Sequence, residues 1–557
     1  MRIGYFPQKH TKNNVSFFLE EHAQKQPHKI AFYFLHSGVP VDKNVQHDSI
    51  TYRDFNDKVS IFGGSLLRLG IKKGDRVIIF VSISPELYIS IAGLQRIGAI
   101  PVLIDSLARK EQLGEILQNS QPKGIIAPLE FLKAFGTNLD FFRIQTRIST
   151  NTYSEEESTI SFSKLLNGEA QKIVPVEQND TALITYTTGS SGTPKGANRT
   201  HRFLAAQHYA LKRLFPYGPN DIDLPVFPVF TLNNIASGIS TVIPAIDISK
   251  PNPKDPQTLV LQITNCGVNS MTLAPSSFRN LATYCNAKNI LLNKISRVLT
   301  GGAPISETDI LKFMKIAPSS KNWILYGSTE VEPISYIESQ EMISINIPRW
   351  TNITKIGVNV GKIDKELNHK FINIEAGNLD ENVKVKKIEV KEGEVGELIV
   401  AGENVCQEYY KNEDAFSRTK IKDEDGTVWH RTGDLARIDK SGFLWIVGRK
   451  HNVIKQGNEY FFPVRPEIIL KDLPHIVNAA YLDIEHNNKN SIIVVVTLER
   501  KDGAIEKLCR KKITKVFKKE NLPLDEIVFM EEIPMDVRHH SKVDYSKLRQ
   551  KLYEVFA

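Results

Sequence analysis

Short apolar runs alternate with helix-patterned segments over more than half of the chain. The segment from Glu86 to Ile97 has helical spacing, and an apolar run lies on each side of it. Nearly continuous apolar strands that alternate with helices are typical of parallel sheets covered on both faces. We therefore predict an α/β body built of layered sheets. Its predicted strands include GDRVIIFV (74–81), AIPVLID (99–105), GIIAP (124–128), ALITYTTG (182–189), SMTLAP (270–275), RVLTGG (297–302) and NWILYGS (322–328).

The pattern changes near residue 360. VKKIEVKEGEVGELIVAG (385–402) and GFLWIVGRK (442–450) contain shorter strands between charged turns, which predicts a small β-rich lobe. A further unit of roughly 100 residues follows, with apolar strands and two basic helical segments. We expect a body over residues 1–448, a hinge at 449–452 and a separate small α+β C-terminal domain over 453–557.

The composition is that of an ordinary globular protein, and it narrows the classes of partner. The chain has 557 residues, of which 41% are hydrophobic and 24% charged, so extended disorder is excluded. Its 71 Lys and Arg exceed its 63 Asp and Glu only slightly. This excess fits an anionic small ligand but not a dedicated nucleic-acid protein. We interpret the densest basic run, from Arg510 to Lys519, as a solvated helix face.

Cysteine usage and hydropathy indicate a cytoplasmic protein. The four cysteines form no CxxC pair and no zinc-ligand spacing, which fits a reducing compartment. No signal peptide is visible at the amino terminus. The uncharged stretch between Asp223 and Asp247 contains three prolines and two asparagines, which are costly in lipid. We therefore expect no stable membrane insertion and interpret this stretch as a buried pocket wall.

A turn rich in Gly, Ser and Thr follows the apolar strand ALITY. This turn, TTGSSGTPKG, runs from Thr187 to Gly196 and offers backbone N–H groups, hydroxyls and the cation of Lys195 to a phosphate chain. Its glycines allow the backbone to approach a ligand closely. It is not a Walker A loop, because the GK[ST] ending is absent. On residue types alone, a flexible surface loop stays open as the alternative.

Six motifs extend this observation along the chain: YTTGSSGTPKGANRTH (186–201), LTGGAP (299–304), LYGSTE (325–330), WHRTGDL (429–435), GFLWIVGRK (442–450) and SKVD (541–544). In kind and order they resemble the motifs of the adenylate-forming superfamily, which includes acyl-CoA synthetases, luciferases and the adenylation domains of peptide synthetases. The resemblance implies a large N-terminal α/β body with a small β-rich lobe. It also implies a mobile C-terminal domain that carries a catalytic lysine.

The resemblance implies a reaction in which a carboxylate attacks the α-phosphorus of ATP to give an acyl adenylate and pyrophosphate. Cationic groups and Mg²⁺ must offset the repulsion between the two anions. By resemblance, Lys542 bridges the α-phosphate and the attacking carboxylate, Thr329 hydrogen-bonds the α-phosphate, and Glu330 binds Mg²⁺. These three are the predicted catalytic residues.

Further residues are expected, by resemblance, to bind the nucleotide. Asp434 would accept both ribose hydroxyls, and Arg449 would reach a ribose or phosphate oxygen. Tyr326 would stack on adenine beside Gly327. The opposite face of the base would be lined by Gly302, Ala303 and Pro304. The residues expected at the β and γ phosphates are Thr187, Ser190, Ser191, Gly192, Thr193 and Lys195.

Four positions depart from the family's pattern and bear on the step after adenylation. His451 stands at the hinge, Asn458 replaces a glycine of the thiol tunnel, and Thr231 stands where many fatty acyl ligases have histidine. Lys542 follows His-His-Ser rather than Ser-Gly. Two stretches, DIDLPVFPVFTLNN…TVIPAID (221–247) and MDVRHHSKVD (535–544), resemble the β-lactone synthetases of bacterial olefin biosynthesis.

We expect ATP-dependent activation of a fatty or β-hydroxy fatty acid, followed by thioester formation with coenzyme A. An apolar acyl group is favoured because Leu224–Ile246 is uncharged and no Asp lies near Thr231–Gly238 to receive an α-amino group. Three alternatives stay open: lactone closure by the acid's own hydroxyl without coenzyme A, loading of an acyl carrier protein, and a non-catalytic nucleotide-binding protein. The expected partner is a small-molecule acid, with no nucleic acid.

Overall fold

Two mostly parallel sheets and one antiparallel sheet build most of the protein, as given by a computed structural model of the chain. The residues that this structure describes are 13–36, 41–42, 44–104, 110–135, 143–151, 159–188, 194–247, 250–346, 357–377, 384–486, 489–536 and 542–556.

Strands and helices alternate through the first half and strands dominate from residue 358 to 461. The strands are β1 (Ile30–Phe34), β2 (Asp48–Thr51), β3 (Arg76–Ile79), β4 (Ile100–Leu103), β5 (Gly124–Ala127), β6 (Thr146–Ser149), β7 (Ile160–Ser161), β8 (Thr181–Thr188), β9 (Pro194–Thr200), β10 (Ile222–Pro225), β11 (Ser240–Val242), β12 (Ser270–Leu273), β13 (Arg297–Gly301), β14 (Lys321–Ser328), β15 (Val331–Glu338), β16 (Val358–Asn359), β17 (Lys362–Ile363), β18 (Asn368–Ile372), β19 (Gly396–Ala401), β20 (Lys420–Lys422), β21 (Val428–Ile438), β22 (Leu444–Arg449), β23 (Ile454–Gln456), β24 (Glu459–Phe461), β25 (Ile476–His486), β26 (Lys489–Leu498) and β27 (Glu526–Phe529). The helices are α1 (Ser16–Lys25), α2 (Tyr52–Arg68), α3 (Pro85–Arg96), α4 (Lys110–Ser120), α5 (Leu129–Phe135), α6 (His201–Leu214), α7 (Pro228–Ser237), α8 (Asp255–Cys266), α9 (Pro275–Lys288), α10 (Glu307–Ile316), α11 (Ser339–Asn346), α12 (Val385–Ile388), α13 (Glu413–Thr419), α14 (Val464–Lys471), α15 (Gly503–Lys519) and α16 (Tyr545–Phe556).

The first sheet has seven strands in the order β7-β6-β5-β3-β4-β8-β9. Its neighbours are parallel, except that β8 and β9 form an antiparallel pair in which Thr187 lies opposite Lys195. β9 leads directly into α6, which the Thr200 hydroxyl caps by accepting a hydrogen bond from the N–H of Phe203. The two ends of the predicted phosphate loop are therefore fixed by a strand pair and a capped helix.

The second sheet has nine strands in the order β17-β15-β14-β13-β12-β10-β11-β1-β2. Because β12, β13 and β14 are parallel, their carboxyl ends lie at the same edge of the sheet. Gly301 ends β13, and a Cβ atom at this position would collide with the carbonyl oxygen of Leu325 on β14. Glycine is thus required for this close pairing. At the end of β14 the chain reverses through Thr329 and Glu330 into β15.

The third sheet is the antiparallel, β-rich lobe. Its strands lie in the order β16-β22-β21-β19-β18, and β20 pairs with β21. β21 and β22 place Asp434 opposite Arg449. The lobe that the charged, short-stranded sequence predicts is therefore present, and the predicted mixed α/β fold class is confirmed.

The C-terminal unit is a three-stranded sheet in the order β25-β26-β27, with one helix on each face. α15 packs on one face through Ile505, Cys509 and Ile513, together with Val494 and Val496 of β26. α16 packs on the other face through Leu548 and Leu552, together with the alternate residues Ile493 and Val495. Because successive strand residues point to opposite faces, the two helices lie on opposite sides of this sheet.

α14 joins the C-terminal unit to the body. Ile468 on this helix belongs to the large hydrophobic core of the body. Arg465 on the same helix donates from Nη1 to Oε1 of Glu307 at 2.9 Å, and both side chains are buried. The predicted hinge residues 449–452 cover the end of β22 and a short 3₁₀ turn, Lys450–Asn452. The limits of the three predicted segments stay predictions.

The uncharged stretch after Asp223 forms β10, α7 and β11, and most of its residues are buried. Across the described part of the chain, no helix combines the length and the apolar character that crossing a membrane requires. All four cysteines are free thiols. Within the same described residues, no group of three or more His, Cys, Asp or Glu side chains is arranged to hold a metal ion.

Candidate active site

The predicted adenine and α-phosphate residues lie at one edge of the nine-stranded sheet. Gly302 follows β13 and Tyr326 lies near the end of the neighbouring strand β14, where Gly301 is paired with Leu325. Gly302 has a φ of +94°, a backbone conformation that favours glycine, and a Cβ there would meet no heavy atom within 4 Å. The loop through Ala303 and Pro304 thus begins beside the strand that carries Tyr326 and Gly327.

Tyr326, Asp434 and Arg449 form a connected group across two sheets. The Tyr326 hydroxyl donates to Oδ2 of Asp434 at 2.6 Å, and Nε of Arg449 lies 2.9 Å from Oδ1 of the same carboxylate. Arg449 also donates from Nη1 to the carbonyl oxygen of Thr432 at 2.8 Å. Burial and then the adjacent Asp434 carboxylate raise the pKa of Tyr326, and Asp434 raises the pKa of Arg449. Each oxygen of Asp434 keeps a second lone pair that could accept a ribose hydroxyl.

Glu330 is held by hydroxyl donors and lies close to two basic side chains. Its Oε1 accepts a hydrogen bond from the Tyr409 hydroxyl at 2.8 Å, and its Oε2 accepts one from Ser328 at 3.1 Å. Burial alone would raise the pKa of Glu330, but His430, the Tyr409 hydroxyl and Lys420 together lower it to about 2. The carboxylate is therefore ionised at neutral pH. An ionised oxygen donor of this kind fits Mg²⁺, a hard cation.

Lys420 is a buried lysine close to Glu330 that the sequence analysis missed, and burial lowers the pKa of its ammonium group. Its ammonium group donates to the carbonyl oxygen of Cys406 and, at 3.1 Å, to Nδ1 of His430. Burial, followed by Lys420, lowers the pKa of His430 to about 3, so the imidazole is neutral and can accept this hydrogen bond. Nothing in the sequence around Lys420 predicts that its side chain is buried. The only nearby indication is the WHRTGD motif, which contains His430.

The phosphate-loop residues Ser190, Ser191, Gly192 and Thr193 lie outside the described residues. The two ends of the loop are described, with Thr187 and Lys195 half-buried and opposite each other. β9 connects this hairpin to the rest of the site, because Arg199 donates from Nη2 to the carbonyl oxygen of Thr329 at 2.7 Å. The strand that follows the loop therefore contacts the turn that carries Thr329 and Glu330.

Lys542 lies in the segment before α16, on the C-terminal unit, and its side chain is exposed. Its N–H donates to Oδ1 of Asp536 at 3.0 Å, and its carbonyl oxygen accepts from the N–H of Asp536 at 2.7 Å. These bonds fix the backbone around the lysine. Both the division that assigns Lys542 to a separate unit and its catalytic role stay predictions.

The family model for the AMP-binding enzymes matches residues 19–410, more than half of the chain. The chain belongs to the AMP-binding enzyme family. This membership confirms the resemblance to the adenylate-forming superfamily that the six motifs carry. The matched region includes the phosphate loop, Glu330 and Tyr409, whereas Asp434, Arg449 and Lys542 lie beyond it.

The relatives of the chain include synthetases and CoA ligases. An olefin beta-lactone synthetase of Xanthomonas campestris pv. campestris is 26% identical over 550 residues, which cover 96% of each chain. A long-chain-fatty-acid–CoA ligase of Thermus thermophilus is 24% identical over 540 residues, 94% of this chain and 92% of the ligase. The crystal structure of the anthranilate CoA ligase AuaEII with anthranoyl-AMP has a TM-score of 0.79 at 17% identity and covers 97% of this chain and 98% of its own.

The positions that depart from the AMP-binding family's pattern are spread over the molecule. Thr231 is buried in α7, and Asn458 is exposed in the turn between β23 and β24. His451 lies in the 3₁₀ turn Lys450–Asn452, where burial and then the charges of Arg449 and Arg549 lower its pKa. Arg549 belongs to α16, so this turn and the helix that follows Lys542 are close to each other.

Proposed function

We propose that the protein activates an aliphatic carboxylic acid with ATP, forming an acyl adenylate and pyrophosphate. The observation that carries this proposal is the connected group Tyr326–Asp434–Arg449 beside the turn of Thr329 and Glu330. A ribose on Asp434 and a base against Tyr326 would place the phosphates toward Thr329. The hairpin that contains Lys195 is joined to this turn by Arg199.

Each side chain then has one task in the adenylation step. The acid's carboxylate attacks the α-phosphorus, and the bond to the bridging oxygen of pyrophosphate breaks. Lys195 and the loop hydroxyls would hold the departing phosphates, and Thr329 would hydrogen-bond the α-phosphate. Glu330 would hold Mg²⁺, which offsets the negative charge of the phosphates. Lys542 would reach the α-phosphate when the C-terminal unit turns at residues 449–452 and brings it inward.

We further propose that the acid is a β-hydroxy fatty acid and that the product is its β-lactone. The long similarity to an olefin beta-lactone synthetase supports this choice, as does the polar Asn458 in place of a tunnel glycine. In the second step the 3-hydroxyl oxygen bonds to the acyl carbon, and the bond from that carbon to the phosphate oxygen breaks. AMP leaves with the electron pair, and the hydroxyl proton passes to solvent.

Thioester formation with coenzyme A is the second candidate. It is supported by the similarity to a long-chain-fatty-acid–CoA ligase, which also extends over nearly the whole chain. The adenylation step is the same in both candidates. They differ in the nucleophile that attacks the acyl adenylate.

One experiment separates the candidates. Purified protein is given ATP, Mg²⁺ and fatty acids with or without a 3-hydroxyl, each with and without coenzyme A, and product masses are measured. A lactone formed from the 3-hydroxy acid without coenzyme A supports the proposal. A thioester formed from both acids supports the second candidate. AMP release that requires an added acyl carrier protein contradicts both, and absence of pyrophosphate exchange with every acid contradicts adenylation itself.

A further inference from the structure

Helix α15 holds most of the net positive charge of the protein. Its 17 residues contain seven Lys and Arg and a single acidic residue, Glu506, a net charge of +6. The whole chain has a net charge of +8, so the remaining residues contribute only +2. The positive charge is therefore a local property of one helix rather than a general property of the surface.

Four of the lysines form a straight stripe on the outer side of α15. The opposite side is buried in the C-terminal core through residues such as Ile505, Cys509 and Ile513. At 3.6 residues per turn, the side facing away from that core carries the stripe. The stripe consists of Lys507, Lys511, Lys515 and Lys518, all exposed.

The lysines of the stripe repel one another. Lys507, Lys511 and Lys515 follow one another at a spacing of four residues, where like charges repel and destabilise a helix. Among the residues that the structure describes, none of the four stripe lysines forms an ion pair. An external surface of negative charge would relieve this repulsion.

We propose that the stripe of α15 binds the protein to an anionic lipid surface. The four ammonium groups lie on flexible stems along a line of about 16 Å, which suits a planar, diffuse negative charge better than a single acidic group. Leu508, which is 42% exposed, lies beside the stripe and adds an apolar contact. This inference does not depend on the proposed function, although a fatty acid substrate would itself be concentrated at such a surface.

Attachment through α15 would leave the predicted catalytic lysine accessible. α15 and α16 cover opposite faces of the β25-β26-β27 sheet. Met535 and Val543, which flank the segment of Lys542, pack on the α16 side. A membrane bound to the stripe therefore lies on the far side of the sheet from Lys542, and the C-terminal unit stays free to present that lysine to the body.

The test is sedimentation of the full-length protein with lipid vesicles. We expect binding to phosphatidylcholine vesicles that contain about 30% phosphatidylglycerol, none to pure phosphatidylcholine, and loss of binding at about 0.5 M NaCl. Replacement of the four stripe lysines by Gln should lower the partition coefficient by at least about tenfold. The matched control replaces four exposed lysines of the body, Lys288, Lys294, Lys312 and Lys315, by Gln and should bind like the wild type.

Several results would overturn the proposal. One is equal binding by the stripe variant and the body control, and another is failure of the wild type to sediment with anionic vesicles. If the wild type does not bind vesicles but is retained by an acidic acyl carrier protein, and this retention requires the stripe lysines, then the stripe binds a protein partner instead. Circular dichroism of both variants establishes that they are folded, since every substituted side chain is exposed.

Discussion

The hydroxyl of Tyr326 donates a 2.6 Å hydrogen bond to Asp434, and this bond crosses from the nine-stranded sheet to the β-rich lobe. One residue is expected at the adenine and the other at the ribose. The bond therefore fixes the distance between the residues expected at the two nucleoside subsites. Arg449, 2.9 Å from the same carboxylate, fixes the orientation of Asp434 from the other side.

Asp434→Asn should weaken ATP binding. The variant loses the negative charge that hydrogen-bonds the ribose and pairs with Arg449, so we expect KM for ATP to rise about 10–100-fold, with a smaller change in kcat. Pyrophosphate exchange at varied ATP measures this. Tyr326→Phe is the control, because it keeps the ring and removes only the hydroxyl, and its effect should stay below about tenfold. Equal effects of the two substitutions would exclude a ribose contact by Asp434.

Lys542→Ala should slow adenylation about 10²–10³-fold, because a cation that stabilises the transition state is lost. ATP affinity should stay nearly unchanged, since the lysine comes from the C-terminal unit. The measurement is the rate of pyrophosphate exchange together with ATP binding by calorimetry. Lys547→Ala, an exposed lysine at the start of α16 that pairs with Asp544 at 3.4 Å, should be active. Exchange at the wild-type rate in Lys542→Ala would show that this lysine is not used.

Glu467 should make the stability of the C-terminal unit depend on pH. Burial raises its pKa to about 7, although the charge of Lys471 and the hydrogen bond from the Tyr545 hydroxyl partly lower it. Between pH 4.5 and about 7 the folded state therefore binds more protons than the unfolded state, so stability decreases as pH rises through this range. Glu467→Gln should remove this contribution. We expect the wild type to lose more stability than the variant between pH 5 and pH 8 in urea denaturation, and identical slopes would contradict this assignment.

An exposed carboxylate supplies the control for that experiment. Glu554→Gln changes an acidic side chain on the outside of α16 and removes the same formal charge. Its denaturation curves should follow the wild type at each pH. A flattened pH dependence in this variant as well would point to overall charge rather than to the buried site.

Arg465→Met should loosen the attachment of the C-terminal unit to the body. The substitution removes the 2.9 Å ion pair with Glu307, and breaking a buried pair costs about 3–5 kcal/mol. We expect faster proteolysis near residues 449–452 and a lower urea midpoint. Adding Glu307→Leu removes the buried carboxylate as well and should restore much of the loss. If the double variant is as labile as the single one, the pair does not hold the two units together.

Local sequence patterns predicted the site residues that directly follow strands. Each of these motifs lies within a few residues of an apolar run, so the motif and the strand that positions it could be identified together. They are the glycines at 301 and 302, the turn at Thr329 and Glu330, and the phosphate loop. The β-rich lobe was equally visible, because its strands alternate with charged turns. The fold class follows from these local signals.

Contacts between separate elements could not be predicted in this way. The bond from Tyr409 to Glu330 joins residues that are 79 positions apart, and the burial of Lys420 depends on the pairing of β20 with β21. The attachment of α14 through Arg465 and Glu307 spans 158 positions. Each depends on how sheets and helices meet in space, which hydrophobic periodicity does not encode.

The position of Ile468 has a thermodynamic consequence for turnover. This side chain follows the predicted hinge in the sequence but packs into the core of the body, so a rotation at residues 449–452, if it occurs as predicted, would expose Ile468 and its neighbours to water. Hydration of apolar groups carries a positive heat-capacity change. The rate of any step that includes this rotation should therefore follow a curved Eyring plot, whereas a step completed within the body alone should give a straighter one.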